Sequence, residues 1–310
     1  MEVARKLREI TKKEAEDDFL KLKEKSCSDL GKFDRTGLAC LDYFFLHHRI
    51  KAKTRRHISF HQALKDKELM AYINGKIQKI RGNTPWSMNS TELLRKRYSL
   101  FQLYYGSINQ FRPTEAKKLY CKLEPKIGVL DFSAGWGGRC LGAMAYGIPY
   151  VGIDANEKMK TSYKNMIETV DPTAKVQMFF QPSETVDFSK FSYDLIFTSP
   201  PYFMIEEYEK MPQYGSKEAF LQKFFQPVVA SAWNHLKSPG YMALNMPKEM
   251  YDSVKGMLPP LWKRLQLPVS NRHPRNAARG QEIGKVDKGG RTEGIYVWKK
   301  GGTKTRKNKK

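Results

Sequence analysis

The sequence predicts an α/β protein with a doubly wound, mostly parallel sheet, preceded by a mainly helical and basic N-terminal region. Three observations carry this expectation. After residue 126, short apolar runs alternate with segments of helical period. Before residue 110 the helical period dominates and no long strand pattern occurs. Charge divides along the same line. The 310 residues carry 55 Lys and Arg against 32 Asp and Glu, a net +23. Residues 1–125 hold +12, residues 126–262 hold −1 and residues 263–310 hold +12. A neutral middle between two basic flanks fits a catalytic core bordered by surfaces for a polyanion.

Taken in order, residues 1–30 read as a polar helix with a thin stripe through Ala4, Leu7 and Ile10, continued by Phe19, Leu20 and Leu22. Residues 38–45 are apolar and aromatic, and the basic stretch 47–56 follows. Residues 66–80 repeat apolar side chains at helical spacing (Leu69, Tyr72, Ile73, Ile77, Ile80) and stop near Gly82. Thr84-Pro85-Trp86 interrupts the pattern. A further helix is expected over residues 90–105, with Ser90 or Thr91 as N-cap. Residues 127–132, a short apolar run ending in an acid, look like a buried parallel strand. Strands are then expected at 150–153, 176–180, 193–198 and 241–245, with helices at 140–146, 156–170 and 216–236. Residues 295–298 are the candidate for a last strand, antiparallel at the sheet edge. The expected organisation is a basic, mostly helical region 1–106, a candidate for nucleic-acid recognition. A catalytic domain 107–300 and a basic, disordered tail 301–310 follow it.

Composition excludes several classes. With 40% hydrophobic and 12% aromatic residues the chain can build a sizeable core, unlike a disordered protein. It has no apolar run of about 18 residues, so no membrane span is expected. The mixed-charge N-terminus lacks the apolar stretch of a secretory signal, and an intracellular location, cytoplasmic or nuclear, is expected. Cys27, Cys40, Cys121 and Cys140 are widely spaced and form no CxxC, which speaks against a disulfide framework and for a reducing compartment. The histidines lack acidic or cysteine partners at metal spacing, so no metal is expected.

Two loops carry chemistry. The first, Asp131-Phe132-Ser133-Ala134-Gly135-Trp136-Gly137-Gly138-Arg139, lies between a strand and a helix. Glycines there allow a tight turn and close approach of backbone to a ligand. It is neither GxGxxG nor a phosphate loop. Asp131, ahead of the glycines, would repel a pyrophosphate and welcome an ammonium. Asp154 ends the next strand 23 residues later, where a carboxylate can accept from ribose hydroxyls. A cofactor with a ribose and an α-amino group but no phosphate matches both acids: S-adenosylmethionine.

The second loop, Ser199-Pro200-Pro201-Tyr202-Phe203, follows an apolar strand directly. The prolines fix φ and remove two donors, so the loop is rigid and offers carbonyls. Such a loop can hold a planar ring bearing an NH2 group. The amine donates to Ser199 and to the Pro200 carbonyl, and the ring stacks on Tyr202.

Together, DFSAGWGGR and TSPPYF resemble the amino-methyltransferases that modify exocyclic nitrogens of DNA bases, and the Ser form of the loop is most similar to the cytosine-N4 subgroup. Phe111-Arg112-Pro113-Thr114 is similar to that family's cofactor motif ahead of the glycine loop. The resemblance spans roughly residues 107–250 and implies a Rossmann-like class I methyltransferase fold. It implies that Phe111 and Pro113 border the methionine end of the cofactor. Asp131, Ser133, Gly135 and Gly137 would line it, Asp154 would bind the ribose, and Gln181 or Ser183 would meet the adenine. Ser199, Pro200, Pro201 and Tyr202 would form the target-base site.

The implied reaction is in-line transfer of the sulfonium methyl to a base amine, the base being flipped out or already single-stranded. Arg272, Arg275 and Arg279, at spacings of three and four, and Arg55 and Arg56 are candidates for gripping phosphates. DNA is expected ahead of RNA as partner, and the sequence leaves the oligomeric state open. Cytosine N4 in DNA leads, and adenine N6 in DNA or RNA follows. An inactive nucleic-acid-binding protein that keeps the fold is the alternative, and methylation of a protein amide stands behind it.

Overall fold

The computed structural model describes residues 2–54, 56–81, 89–201, 214–265 and 294–301. The chain opens with α1 (Glu2–Leu7) and α2 (Lys12–Glu24) rather than one polar helix. The break has a local cause: Thr11 and Glu14 form a reciprocal capping box that restarts the helix. The apolar run and the start of the basic stretch make one helix, α3 (Leu38–Arg49). After α4 (Phe60–Ala63) come α5 (Lys67–Arg81) and α6 (Ser90–Tyr105). The cap of α6 is Asn89, whose side chain accepts from Glu92 N–H, one residue ahead of the expected Ser90 or Thr91.

The α/β part runs α7 (Pro113–Leu123), β1 (Val129–Asp131), α8 (Gly138–Tyr146), β2 (Tyr150–Ile153), α9 (Lys160–Val170) and β3 (Val176–Phe179). It continues with β4 (Leu195–Thr198), α10 (Lys217–Phe220), α11 (Gln226–His235) and β5 (Gly240–Met246). It ends with α12 (Lys248–Val254), β6 (Lys263–Leu265) and β7 (Gly294–Lys300). Among the described residues these strands form one seven-stranded sheet in the order β3-β2-β1-β4-β5-β7-β6. β1 to β5 pair in parallel; β7 runs antiparallel to β5 and to β6. The expected antiparallel strand is therefore present but is not the edge: β6, which the sequence reading missed along with α12, lies outside it. A three-residue strand with two exposed basic side chains carries almost no apolar pattern.

β1 and β4 start two residues later than their apolar runs suggest. The Asp194 carboxylate accepts from the N–H groups of Lys126, Ile127 and Gly128, at 2.7, 3.1 and 3.1 Å, and holds this stretch as a loop.

The sheet buries both faces, as a doubly wound parallel sheet must. One face packs Val129, Leu195, Phe197, Ala243 and Ile295 against α7 and α8. The other packs Leu130, Ile196, Met242 and Leu244 against Phe220, Phe225, Val228 and Val229. The first core also takes in Ala15, Phe19 and Leu22 of α2 and Leu41, Phe44 and Phe45 of α3. A division at residue 106 thus crosses a shared core. Only α1, α4, α5, α6 and the end of α3 gather around a separate one, centred on Phe60, Ile73 and Phe101.

One expectation about cysteine is corrected. Cys27 and Cys121 form a disulfide across 94 residues of sequence. The cause lies in packing. Lys117 on α7 donates its ammonium to the carbonyls of Leu22, Lys23 and Lys25, capping the end of α2. Cys121 is one helical turn further along the same face of α7, which brings it to Cys27 just beyond that cap. Cys40 and Cys140 are free and buried. No helix among the described residues is long and apolar enough to cross a membrane.

Candidate active site

Parallel strands deliver their carboxyl ends to one edge of the sheet, and the order reverses between β1 and β4. That reversal is where doubly wound proteins bind ligands. Both predicted loops leave from these two adjacent strands.

The glycine loop is held by close approach. An ideal Cβ on Gly138 would lie 1.9 Å from the Phe111 carbonyl oxygen, and one on Gly142 would lie 2.8 Å from the Pro113 carbonyl oxygen. These glycines let the segment through Phe111 and Pro113 lie directly on the first turns of α8. The Phe111 ring meets Phe197 edge-on at 5.3 Å, so this segment also reaches the strand that leads to Ser199. Pro113 is buried as the first residue of α7. Gly137 has φ +78° and lies against Phe45 of α3. Gly135 has φ +60°, and a Cβ there would meet only the Ser133 carbonyl oxygen, at 3.8 Å. Its backbone conformation demands glycine, and it leaves a cradle beside the loop that a side chain would fill.

Asp154 closes that cradle. Its carboxylate accepts from Gly135 N–H at 2.8 Å and from Asn156 N–H at 2.9 Å. It is densely surrounded yet partly accessible, and lone pairs remain for a further donor. Burial pushes its pKa up to about 6, against the opposing pull of those two N–H groups. Tyr163 donates to the Gly135 carbonyl at 2.8 Å from the other side.

Asp131 is fully buried and already partnered. Arg139 donates to it through Nε at 2.7 Å and Nη2 at 3.3 Å, and Tyr150 through its hydroxyl at 2.6 Å. Arg139 also donates to the Ser133 carbonyl. Burial pulls the Arg139 pKa down, but the Asp131 charge and hydrogen bond outweigh it and hold it above its ordinary value. The positive charge expected beside Asp131 is thus present as a guanidinium from the protein itself. Ser133 N–H donates to Asp131 at 3.2 Å, and its hydroxyl donates to the Phe132 carbonyl. Ser183, buried after β3, donates to that same carbonyl and anchors its own loop to the glycine loop, while Gln181 is exposed.

Ser199 is half-buried at the end of β4, Pro200 is buried and Pro201 half-buried. The Asn245 amide on β5 donates to the Ser199 hydroxyl at 3.1 Å. Tyr202 lies outside the described residues, as do Arg55, Arg272, Arg275, Arg279 and the tail 302–310. Arg56 is exposed beyond α3, its N–H on the Thr54 hydroxyl at 3.3 Å.

Sequence reasoning missed Arg139, Tyr150, Tyr163 and Asn245. Asn245 carried a signal: one amide in an otherwise apolar strand, 3% exposed, needs a specific partner.

The strand order, the antiparallel β7 and the glycine turn after β1 define the fold as Rossmann-like, of the class I methyltransferase type. No family model and no curated protein matches the chain. Solved structures are similar to it. TrmN from Thermus thermophilus is 16% identical over 71% of this chain and 69% of its own, with a TM-score of 0.43. An S-adenosylmethionine-dependent methyltransferase from Clostridium acetobutylicum is 12% identical over 67% and 98%, also with a TM-score of 0.43.

Proposed function

We propose that this protein transfers a methyl group from S-adenosylmethionine to an exocyclic amine of a nucleic-acid base, with cytosine N4 in DNA as the target. The observation that carries the reading is the convergence at one sheet edge of a half-buried carboxylate, a glycine cradle and a rigid Ser-Pro-Pro turn. They arise from β2, β1 and β4, side by side.

The ribose side fits the cofactor. Asp154 would accept from its hydroxyls, with Gly135 leaving room for it. At the methionine end the Asp131 carboxylate is engaged by Arg139, so Asp131 would act on the loop's shape and not on the ammonium. Phe111 and Pro113, whose carbonyls lie against Gly138 and Gly142, would border this end. When bound, the cofactor supplies a methyl on a positively charged sulfur.

The chain's own part is orientation. An aromatic amine is a weak nucleophile because its lone pair is delocalised into the ring. The Ser199 hydroxyl oxygen and the Pro200 carbonyl would accept hydrogen bonds from its two N–H groups, favour a pyramidal nitrogen and localise that lone pair; after the methyl moves from sulfur to nitrogen, the methylated amine would release one proton to solvent. The prolines keep those acceptors in place without competing N–H donors. Tyr202 would stack on the base. The +23 charge supports a polyanionic substrate.

The test is nucleoside mass spectrometry of DNA and RNA incubated with protein and cofactor. N4-methylcytosine in DNA, lost in Ser199→Ala, is the expected result. N6-methyladenine would move the target to adenine, and no methylated nucleoside in either polymer would overturn the reading.

A further inference from the structure

We propose that the paired face of α5 and α6 is a docking surface for an unpaired DNA strand flanking the target base. Tyr72, Lys76 and Tyr104 would be its contact residues. The inference rests on the reading of a nucleic-acid substrate and adds where that substrate is gripped.

Tyr72 and Tyr104 stand on adjacent helices. Among the described residues they belong to a small group of exposed large aromatics, at 47% and 37%. They are not scattered: their rings meet edge-to-face at 6.0 Å. Lys76, one turn after Tyr72, places its ammonium 5.0 Å from the Tyr72 ring and 5.8 Å from the Tyr104 ring. The stripe continues along α5 to Lys79 and Ile80, both exposed. The helices' inner faces, through Ile73, Ile77, Leu100 and Phe101, are used up in the helical core, so this outer face is surplus to folding. Arg97 on α6 donates to Asn74 on α5 at 2.9 Å and fixes the two helices against each other. The aromatic pair is therefore presented on a rigid support.

Charge selects the occupant. The sequence of α5 carries four basic side chains and one acidic, and that of α6 three and one. Exposed aromatic rings with a lysine between them, on helices rich in basic and poor in acidic residues, match single-stranded nucleic acid. Bases stack on the rings and phosphates meet the ammonium groups. An acidic protein segment would satisfy the charges but leave the rings unexplained. Position fits as well. Tyr104 stands seven residues before Phe111, which touches the strand leading to Ser199; the intervening chain spans at most roughly 25 Å. That is the reach of a short flank on one side of a flipped base.

The experiment measures binding of the full chain to a fluorescent single-stranded DNA oligonucleotide, an RNA of the same sequence and an abasic strand of equal charge. Methyl transfer to the oligonucleotide and cofactor affinity by calorimetry are followed in parallel. Tyr72→Ala/Tyr104→Ala is expected to weaken DNA binding about 10- to 100-fold, with cofactor affinity and thermal midpoint unchanged. Lys76→Glu should weaken it too and reduce the salt dependence. Wild-type protein should bind the abasic strand as poorly as the double variant binds DNA. Unchanged DNA affinity in folded variants, or equal affinity of wild type for abasic and base-bearing strands, overturns the proposal. So does loss of binding to an acidic peptide alone, or to RNA alone. Methylation that proceeds unaltered in the double variant sinks the docking surface and leaves the proposed reaction standing. Base-dependent binding through these residues without any methylation does the reverse.

Discussion

Asn245 on β5 donates its side-chain amide to the hydroxyl of Ser199 on the turn after β4, across 3.1 Å. The adjoining strand positions pair in register, Thr198 opposite Leu244, so the two side chains leave neighbouring strands toward the same face. This bond fixes one lone pair of the Ser199 oxygen and thereby the direction of the other. Asn245→Ala is expected to lower turnover of methyl transfer about fivefold, the worth of one neutral hydrogen bond, without changing cofactor affinity. Steady-state kinetics with labelled cofactor reads this directly. Full turnover in the variant would show that Ser199 needs no such support.

Ser199→Ala removes the acceptor itself. Turnover should fall by about two orders of magnitude while the cofactor still binds, because the lost interaction acts on the reacting amine and not on the cofactor. Wild-type methylation in this variant would remove Ser199 from the site.

Asp154 gives a pH signature. Its pKa of about 6 in the folded chain lies above the ordinary 3.8, because burial disfavours its charge. The ionised form therefore costs the folded state stability above about pH 6, and that cost fades as the pH falls toward 4. Cofactor affinity should run the opposite way, dropping as the pH falls through 6 and the carboxylate loses acceptor capacity. Asp154→Asn should weaken cofactor binding and flatten both profiles, as read by calorimetry and urea unfolding between about pH 4 and 7, which brackets the window from 3.8 to about 6 that the shift defines. A parallel pH dependence in variant and wild type would rule Asp154 out as the titrating group.

Gly138→Ala tests the seam between the glycine loop and the Phe111 segment. Its Cβ would enter the Phe111 backbone, which cannot rotate away as a side chain can. A loss of about 3 kcal/mol in urea unfolding is expected. Gly147→Ala is the control: open space surrounds its Cβ, so only the strain of φ +85° applies, about 1 kcal/mol. Gly138 itself has no positive φ, so a loss there no larger than at Gly147 would show that the Phe111 backbone yields to the new Cβ.

Lys117→Met tests the clamp on α2. It strips three carbonyls of their donor while keeping much of the side chain's bulk. The expected cost is about 2 kcal/mol, read with the disulfide intact, and an unchanged midpoint would show that solvent replaces the ammonium freely.

The sequence by itself determined the alternation of strands and helices after residue 126. It also determined the existence of a last strand near residue 295 and the positions of both loops relative to their strands. These features are local: apolar runs of strand length, helical periods, and glycines or prolines that leave the chain few conformations. Tertiary structure alone decided which partners those loop residues keep. Asp131 looks, as a residue, like a free acid awaiting an ammonium; the fold instead turns Arg139 back onto it from the first turn of α8. α2 and α3 belong by sequence to the basic flank, yet Phe19 and Phe45 are buried in the same core as Val129. Cys27 and Cys121 pair because Lys117 draws the end of α2 onto α7. The last two depend on groups far apart in the chain, whose encounter is set by helix packing and so leaves no trace in local spacing; the first depends on how the glycine loop turns, eight residues from acid to base.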